Sequence, residues 1–138
     1  MRVVTMERIE EFSSAHRLHS DQLTDEENAQ VFGKCNNFHG HGHNYVWKVK
    51  LRGTVDSVTG MVYDLAKLKA EMATVMATVD HKNLDKDVPH FKNHTSTCEN
   101  VSIYLFDSLR AIMSNPEVLY KVTVAESRKN IFTYKGGN

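Results

Sequence analysis

The sequence predicts an α+β domain in which a four-stranded antiparallel sheet carries two helices on one face. Three observations predict it. Two long stretches near the N-terminus, residues 3–17 and about 41–53, have the residue alternation of strands. Two stretches in the middle carry apolar residues at helical spacing behind side chains suited to helix capping. The residues after Pro116 read as a hairpin. The order is therefore strand, strand, helix, helix, strand, strand, which segregates the helices to one face of an antiparallel sheet. A chain of 138 residues suffices for one such core, so residues 1–138 read as a single domain.

The first strand alternates imperfectly. Met6, Ile9 and Phe12 are spaced by three, which predicts a bulge or a strong twist. In the insertion that follows, Thr24-Asp25-Glu26-Glu27 is a capping box and predicts a short helix ending at Gly33. The second strand ends at Gly53, before a turn-rich segment reaching Gly60. Asp64 is the expected cap of a helix with Leu65, Leu68, Met72, Val75, Met76 and Val79 on one face. Ser96-Thr97-Cys98-Glu99 reads as a second capping box, opening a helix with Val101, Leu105, Leu109 and Ile112 on one face. Asn115-Pro116 ends it. In the hairpin, Tyr120, Val122, Val124 and Glu126 share a face, Ser127-Arg128-Lys129-Asn130 turns, and residues 131–135 return.

Composition narrows the function. Lys plus Arg equals Asp plus Glu, 17 each, so no global field favours nucleic acid or an anionic membrane. No apolar run approaches the roughly 20 residues of a membrane span. The N-terminus lacks the apolar core of a signal peptide, and two cysteines in unlike contexts do not form a disulfide framework. The expectation is a cytoplasmic protein. Open sheet edges predict association through strands, since unpaired edges must be covered or used.

Chemistry concentrates between Cys35 and Tyr45. His41 and His43 share a strand face with Tyr45, Trp47, Val49 and Leu51, so two imidazoles can reach one ion from a rigid backbone. Zinc takes nitrogen ligands at about 2.0–2.1 Å in a tetrahedron, and His-x-His on a strand supplies two corners. A third histidine near the end of the first strand, His16 or His19, would leave a coordination position open, the arrangement of a catalytic site. His39 has the same phase as His41 and His43, so spacing alone leaves the triplet open.

Four further positions have both a functional and a bland reading. Cys35 is a fourth metal ligand, a buried small hydrophobe, or a base or nucleophile beside a metal. Asp80-His81 at a helix end is either a solvated pair favoured by the helix dipole or an acid-oriented imidazole for proton transfer. Glu126 interrupts an apolar phase, either at the sheet margin or held for a ligand whose N–H edge it accepts. Glu99 reads first as a capping residue.

Several motifs taken together carry a resemblance: Phe12-Ser13-Ser14-Ala15-His16-Arg17-Leu18, Asp25-Glu26-Glu27-Asn28, Phe32-Gly33-Lys34-Cys35-Asn36-Asn37, His41-Gly42-His43-Asn44-Tyr45, Gly60-Met61-Val62, Asp80-His81-Lys82-Asn83-Leu84-Asp85, Glu99-Asn100-Val101 and Leu119-Tyr120-Lys121-Val122. Over nearly its whole length the chain resembles the 6-pyruvoyl tetrahydropterin synthase family, which has the tunnelling fold. The resemblance implies one zinc ion per subunit on His16, His41 and His43. It implies a proton-transfer set of Cys35, Asp80 and His81, and a pterin anchor at Glu126. It also implies that Thr97, Cys98 and Glu99 fall where a neighbouring subunit would contact the pterin. The implied enzyme is a lyase of tetrahydrobiopterin biosynthesis that converts 7,8-dihydroneopterin triphosphate to 6-pyruvoyl tetrahydropterin and triphosphate, with magnesium accompanying the triphosphate. The implied assembly is a hexamer of two stacked trimers, each trimer closing its sheets into a barrel.

Departures from the family pattern are Phe38 and His39, where proline and asparagine are usual, and Cys98, where a second threonine is usual. A carboxytetrahydropterin synthase of bacterial type is the alternative within the family, but there the cysteine lies nearer the His-Gly-His. A zinc-stabilised binding module closed by Cys35 is the alternative outside catalysis. No Gly-x-Gly-x-x-Gly or Gly-Lys-Ser/Thr loop suggests a nucleotide cofactor.

Overall fold

β1 (Val3–His16) and β2 (His41–Thr54) pair antiparallel along their whole length, Val3 opposite Thr54 and His16 opposite His41. This computed structural model describes residues 2–137. After β2 come α2 (Leu65–Met76), β3 (Lys82–Asn83), α3 (Leu84–Asp87), α4 (Cys98–Ile112), β4 (Leu119–Ala125) and β5 (Ile131–Tyr134), while α1 (Asp25–Phe32) lies in the β1–β2 connection. The sheet order is β3-β1-β2-β4-β5.

The α+β class stands, but the sheet is five-stranded and mixed rather than four-stranded and antiparallel. β3 pairs parallel with β1, Ser14 opposite Lys82 and Ala15 opposite Asn83. The chain leaving α2 passes the free edge of β1 and gives it backbone partners. Two residues are too short to show alternation, so the strand has no signature in sequence. The irregularity expected in β1 is also displaced. The β1–β2 ladder runs without a shift, and the register slips between Lys50 and Leu51 where β2 meets β4. That slip puts Leu119 in the core and leaves Tyr120 at the surface.

The core lies between the sheet and helices α2 and α4. Tyr45, Trp47, Val49 and Leu51 of β2 meet Leu68, Met72 and Val75 of α2 and Val101, Leu105 and Leu109 of α4, all fully or almost fully buried. Burial of one such aliphatic side chain contributes roughly 1.5–3 kcal/mol. Two positions expected on the apolar helix faces are solvent-exposed, Leu65 (56 %) and Ile112 (43 %), because each is an end residue of its helix.

Helix starts follow the local chemistry. Thr24 and Glu27 form the reciprocal capping box at α1, with Gly33 as its C-cap. Asp64 accepts from the backbone of Ala66 and Lys67 at α2. At α4 the cap is Thr97, whose hydroxyl accepts from Asn100 N, one residue later than the Ser96 box predicts. Ser96 is committed elsewhere, as described below. The connection through α1 is organised by the fully buried Asn28. Its carboxamide accepts from Ser20 N and donates to the carbonyls of Ser20, Leu23 and Thr24, which fixes the route by which the chain reaches Cys35.

Candidate active site

Three histidines converge where the core ends. The β1–β2 register sets His16 opposite His41 and Ser14 opposite His43, and all three imidazoles project from the helix-facing side of the sheet. His16 Nε2 lies 3.1 Å from His41 Nε2, and one ring nitrogen from each of the three residues falls within 4.8 Å of the others. His39 and His19 stand outside this group. His19 lies beyond the end of β1, and His39 is set apart by Gly40, at φ +75°, where a Cβ would meet the His16 carbonyl oxygen at 2.8 Å. The chain turns there, so the strand phase linking His39 to His41 on paper is broken.

His16 is held by partners of its own. Its Nδ1 donates to the Ser96 carbonyl at 2.6 Å, which leaves Nε2 with the lone pair facing the other imidazoles. Ser96 is fully buried, and its hydroxyl donates to Asp85 Oδ1 at 2.6 Å. Asp85 Oδ2 accepts from Arg17 N at 2.6 Å, so one carboxylate fixes the chain on both sides of His16. Burial lowers the His16 pKa to about 4, outweighing the opposing hydrogen bond to Ser96, and His41 and His43 lower it further. The His41 pKa is also lowered, first by burial and then by His43. Converging imidazole nitrogens, one of them set by an oriented outer partner, are a donor set suited to zinc. The residues fit a metal ion.

The other expected residues are distributed around this centre. Glu126, just beyond β4, places Oε2 3.9 Å from His43 Nε2. Asp80 Oδ1 accepts from Ser13 N at 3.0 Å and lies 2.9 Å from His81 Nδ1. His81 N donates to Ser13 O at 2.6 Å, and the residue has φ +60° with its side chain 83 % exposed. Asp80 therefore orients an imidazole presented to solvent. That imidazole and His43 border one open groove with Ser13 and Asn44.

Cys35 sits in the 3-10 turn Gly33–Asn36, partly buried, and its carbonyl accepts from Leu18 N at 2.8 Å. It is not among the groups within 4.8 Å of one another at the histidines. Of the α4 residues, Thr97 is engaged as the cap and Glu99 is exposed without a capping role. Cys98 is 2 % exposed, with Sγ directed at the Val124 carbonyl at 3.8 Å. Burial pushes its thiol pKa well up, and Glu126 and Glu99 add to this.

Residues 5–137 match the model of a family described as 6-pyruvoyl tetrahydropterin synthase. The chain belongs to that family. It is 68 % identical over 136 residues to a putative 6-pyruvoyl tetrahydrobiopterin synthase of Caenorhabditis elegans, covering 99 % of this chain and 97 % of the relative. It is 52 % identical over 126 residues to the 6-pyruvoyl tetrahydrobiopterin synthase of Homo sapiens, covering 91 % and 86 %. A solved structure of C. elegans 6-pyruvoyl tetrahydropterin synthase superposes with a TM-score of 0.98 at 68 % identity, covering 99 % of this chain and 98 % of that one. The expectation of an enzyme of the 6-pyruvoyl tetrahydropterin synthase class therefore stands.

Within this synthase family pattern, the departures at Phe38 and His39 fall on a surface turn. Phe38 is 77 % exposed, and its ring lies beneath the Arg17 guanidinium at 5.5 Å and against His39. The partners of His16 were not legible from spacing. Ser96 reads as a helix cap, and Asp85 acquires its place only when α3 folds back on the end of β1. The one local signal is Asn83, whose side chain accepts from Asp85 N and Lys86 N and so starts the turn that aims Asp85.

Proposed function

We propose that the chain is a zinc-dependent lyase of tetrahydrobiopterin biosynthesis that converts 7,8-dihydroneopterin triphosphate to 6-pyruvoyl tetrahydropterin and inorganic triphosphate. The observation that supports this most directly is the carboxylate of Glu126 at 3.9 Å from one of three converging imidazoles. A pterin edge on the carboxylate would leave the hydroxylated side chain over the histidines. His16, His41 and His43 would hold the zinc. When bound, zinc supplies Lewis-acid polarisation of the substrate's side-chain hydroxyls. Glu126 accepts the N–H and NH2 edge of the pterin ring side by side. Cys35 takes and returns a proton on one side, and His81, oriented by Asp80, does so on the other. Shifting protons along the carbon chain while triphosphate leaves requires no nicotinamide.

Residues 1–138 act as one domain in this reading, in the cytoplasm, with magnesium accompanying the triphosphate. Six copies assemble as two trimers whose sheets close into barrels. The site lies between subunits, with Thr97, Cys98 and Glu99 reaching a neighbour's pterin, and Cys35 and His81 need not face one cavity within one chain. The burial of Cys98 leaves the backbone as its means of contact. Sedimentation is expected to show a six-chain species, and a fully active monomer would refute the assembly.

The deciding experiment is product analysis with 7,8-dihydroneopterin triphosphate. Release of 6-pyruvoyl tetrahydropterin and triphosphate is expected. A carboxytetrahydropterin product would favour the bacterial-type enzyme, and no product would favour a binding module. Glu126→Gln keeps the shape but offers a donor where an acceptor is needed. Truncating one partner of a buried charged hydrogen bond costs roughly 2–5 kcal/mol, so pterin affinity should fall at least about tens-fold. Unchanged affinity in a titration with neopterin would place the anchor elsewhere, with Glu99 the next candidate.

A further inference from the structure

A surface cavity of about 800 Å³ lies where β1 ends and β2 begins, next to the three histidines in the chain. It is bordered by the chain after β1, the turn before β2 and the segment from β3 to α4. Arg17, His19, His39, Lys86, Lys92 and His94 all line it. We propose that this cavity receives the triphosphate arm of the substrate. The proposal rests on the lyase reading above and adds the residues that hold the leaving group.

The cavity, the histidine cluster and Glu126 are neighbours. Glu126 is 3.9 Å from His43, the rings of His43 and His41 are 4.9 Å apart, and those of His41 and His16 are 4.6 Å apart. Arg17 follows His16 in the chain and Gly40 precedes His41, and both border the cavity. The rings of His16 and His43 also lie 5.2 Å apart, so the three imidazoles form one cluster, with the carboxylate at His43 and the cavity at the chain neighbours of His16 and His41. A substrate with its pterin ring on the carboxylate and its hydroxylated carbons over the cluster would extend its triphosphate toward those neighbours.

The cavity is also prepared for an anion. Arg17 Nε donates to the Asn36 carbonyl at 2.9 Å, and the guanidinium lies over Phe38, so its plane is fixed. Among the described residues its terminal NH2 groups meet no protein acceptor, and a fixed fork of this kind suits phosphate oxygens. Lys92 Nζ donates to the Lys86 carbonyl at 3.2 Å, which holds one ammonium at the cavity and leaves its other donors free. Two carboxylates also line the cavity. Asp85 is already taken by Arg17 N and the Ser96 hydroxyl, and Asp21 is 93 % exposed beside His19. Both acids keep their charge, and Arg17, Lys86 and Lys92 outnumber them in the lining.

The test uses inorganic triphosphate as the probe, titrated against the full chain and against Lys86→Ala/Lys92→Ala, two exposed positions whose truncation removes no core packing. Removing each charge-assisted hydrogen bond should weaken binding about tenfold, so a ten- to hundredfold rise in Kd is expected. The salt dependence of Kd should become shallower, and the KM for 7,8-dihydroneopterin triphosphate should rise in parallel. Affinity for neopterin, which has no phosphate, should stay within about twofold. An unchanged triphosphate Kd with turnover intact would overturn the cavity and leave the lyase reading standing. A raised Kd with an unchanged KM would make the cavity a polyphosphate site unrelated to substrate, which also overturns the proposal. Absence of turnover in the unaltered chain would instead defeat the lyase reading, and this subsite with it.

Discussion

His41→Ala is expected to lose most of the bound zinc and essentially all turnover, while His39→Ala keeps zinc near one per subunit. The contrast follows from the backbone at Gly40. On one side of it His41 faces His16 at 3.1 Å, and on the other His39 lies on an exposed turn packed against Phe38. Loss of an outer-shell partner typically costs about 10–100-fold in metal affinity, and loss of a direct ligand should exceed that. Metal analysis of the two variants after identical dialysis is the measurement. Equal loss in both would mean that His39 swings into the centre and that the triplet is wrongly assigned.

Cys35→Ala separates an enzyme from a zinc module. The expected result is retained zinc and fold with turnover reduced by about 10²–10⁴-fold, the usual contribution of a positioned acid–base group. The turn should survive, because what ties Cys35 to the rest of the chain is its backbone carbonyl, which accepts from Leu18 N, rather than its thiol. A fourth-ligand role predicts the opposite pattern, with weakened metal binding and a less stable fold. Zinc content and triphosphate release measured on one preparation discriminate the two. Retained zinc with retained turnover would remove Cys35 from the mechanism and leave the proton transfers to Asp80 and His81.

Much of this fold is legible because its instructions are local. Asp64 and the Thr24–Glu27 box cap the helices they precede, and the alternation from Tyr45 to Leu51 marks the buried face of β2. Long antiparallel strands also set the histidine cluster. Once β1 and β2 pair along their length, His16 must meet His41. What spacing leaves open depends on contacts between distant segments. The choice between His39 and His41 turns on one backbone angle. β3 exists only because β1 has a free edge there. Ser96 is drawn from the capping role by a carboxylate that α3 delivers, and Thr97 caps α4 in its place. The slip between Lys50 and Leu51 exchanges Leu119 and Tyr120 across the sheet, a one-residue change that reverses which side chain is buried.

The two-residue β3 has a consequence for motion. Asp80 and His81 are moored through Ser13 and this short parallel pairing, whereas the histidine centre is built on the 14-residue β1 paired with β2 throughout. Structures open in cooperative pieces, beginning with those held by few bonds. Fraying of β3 breaks a handful of hydrogen bonds and frees the imidazole of His81, while the ladder that fixes His16, His41 and His43 stays closed. Amide hydrogens of residues 81–83 should accordingly exchange with solvent far sooner than those of residues 45–51. The fold thus gives the Asp80–His81 pair and the histidine cluster separate local stabilities, so that one can breathe while the other holds still.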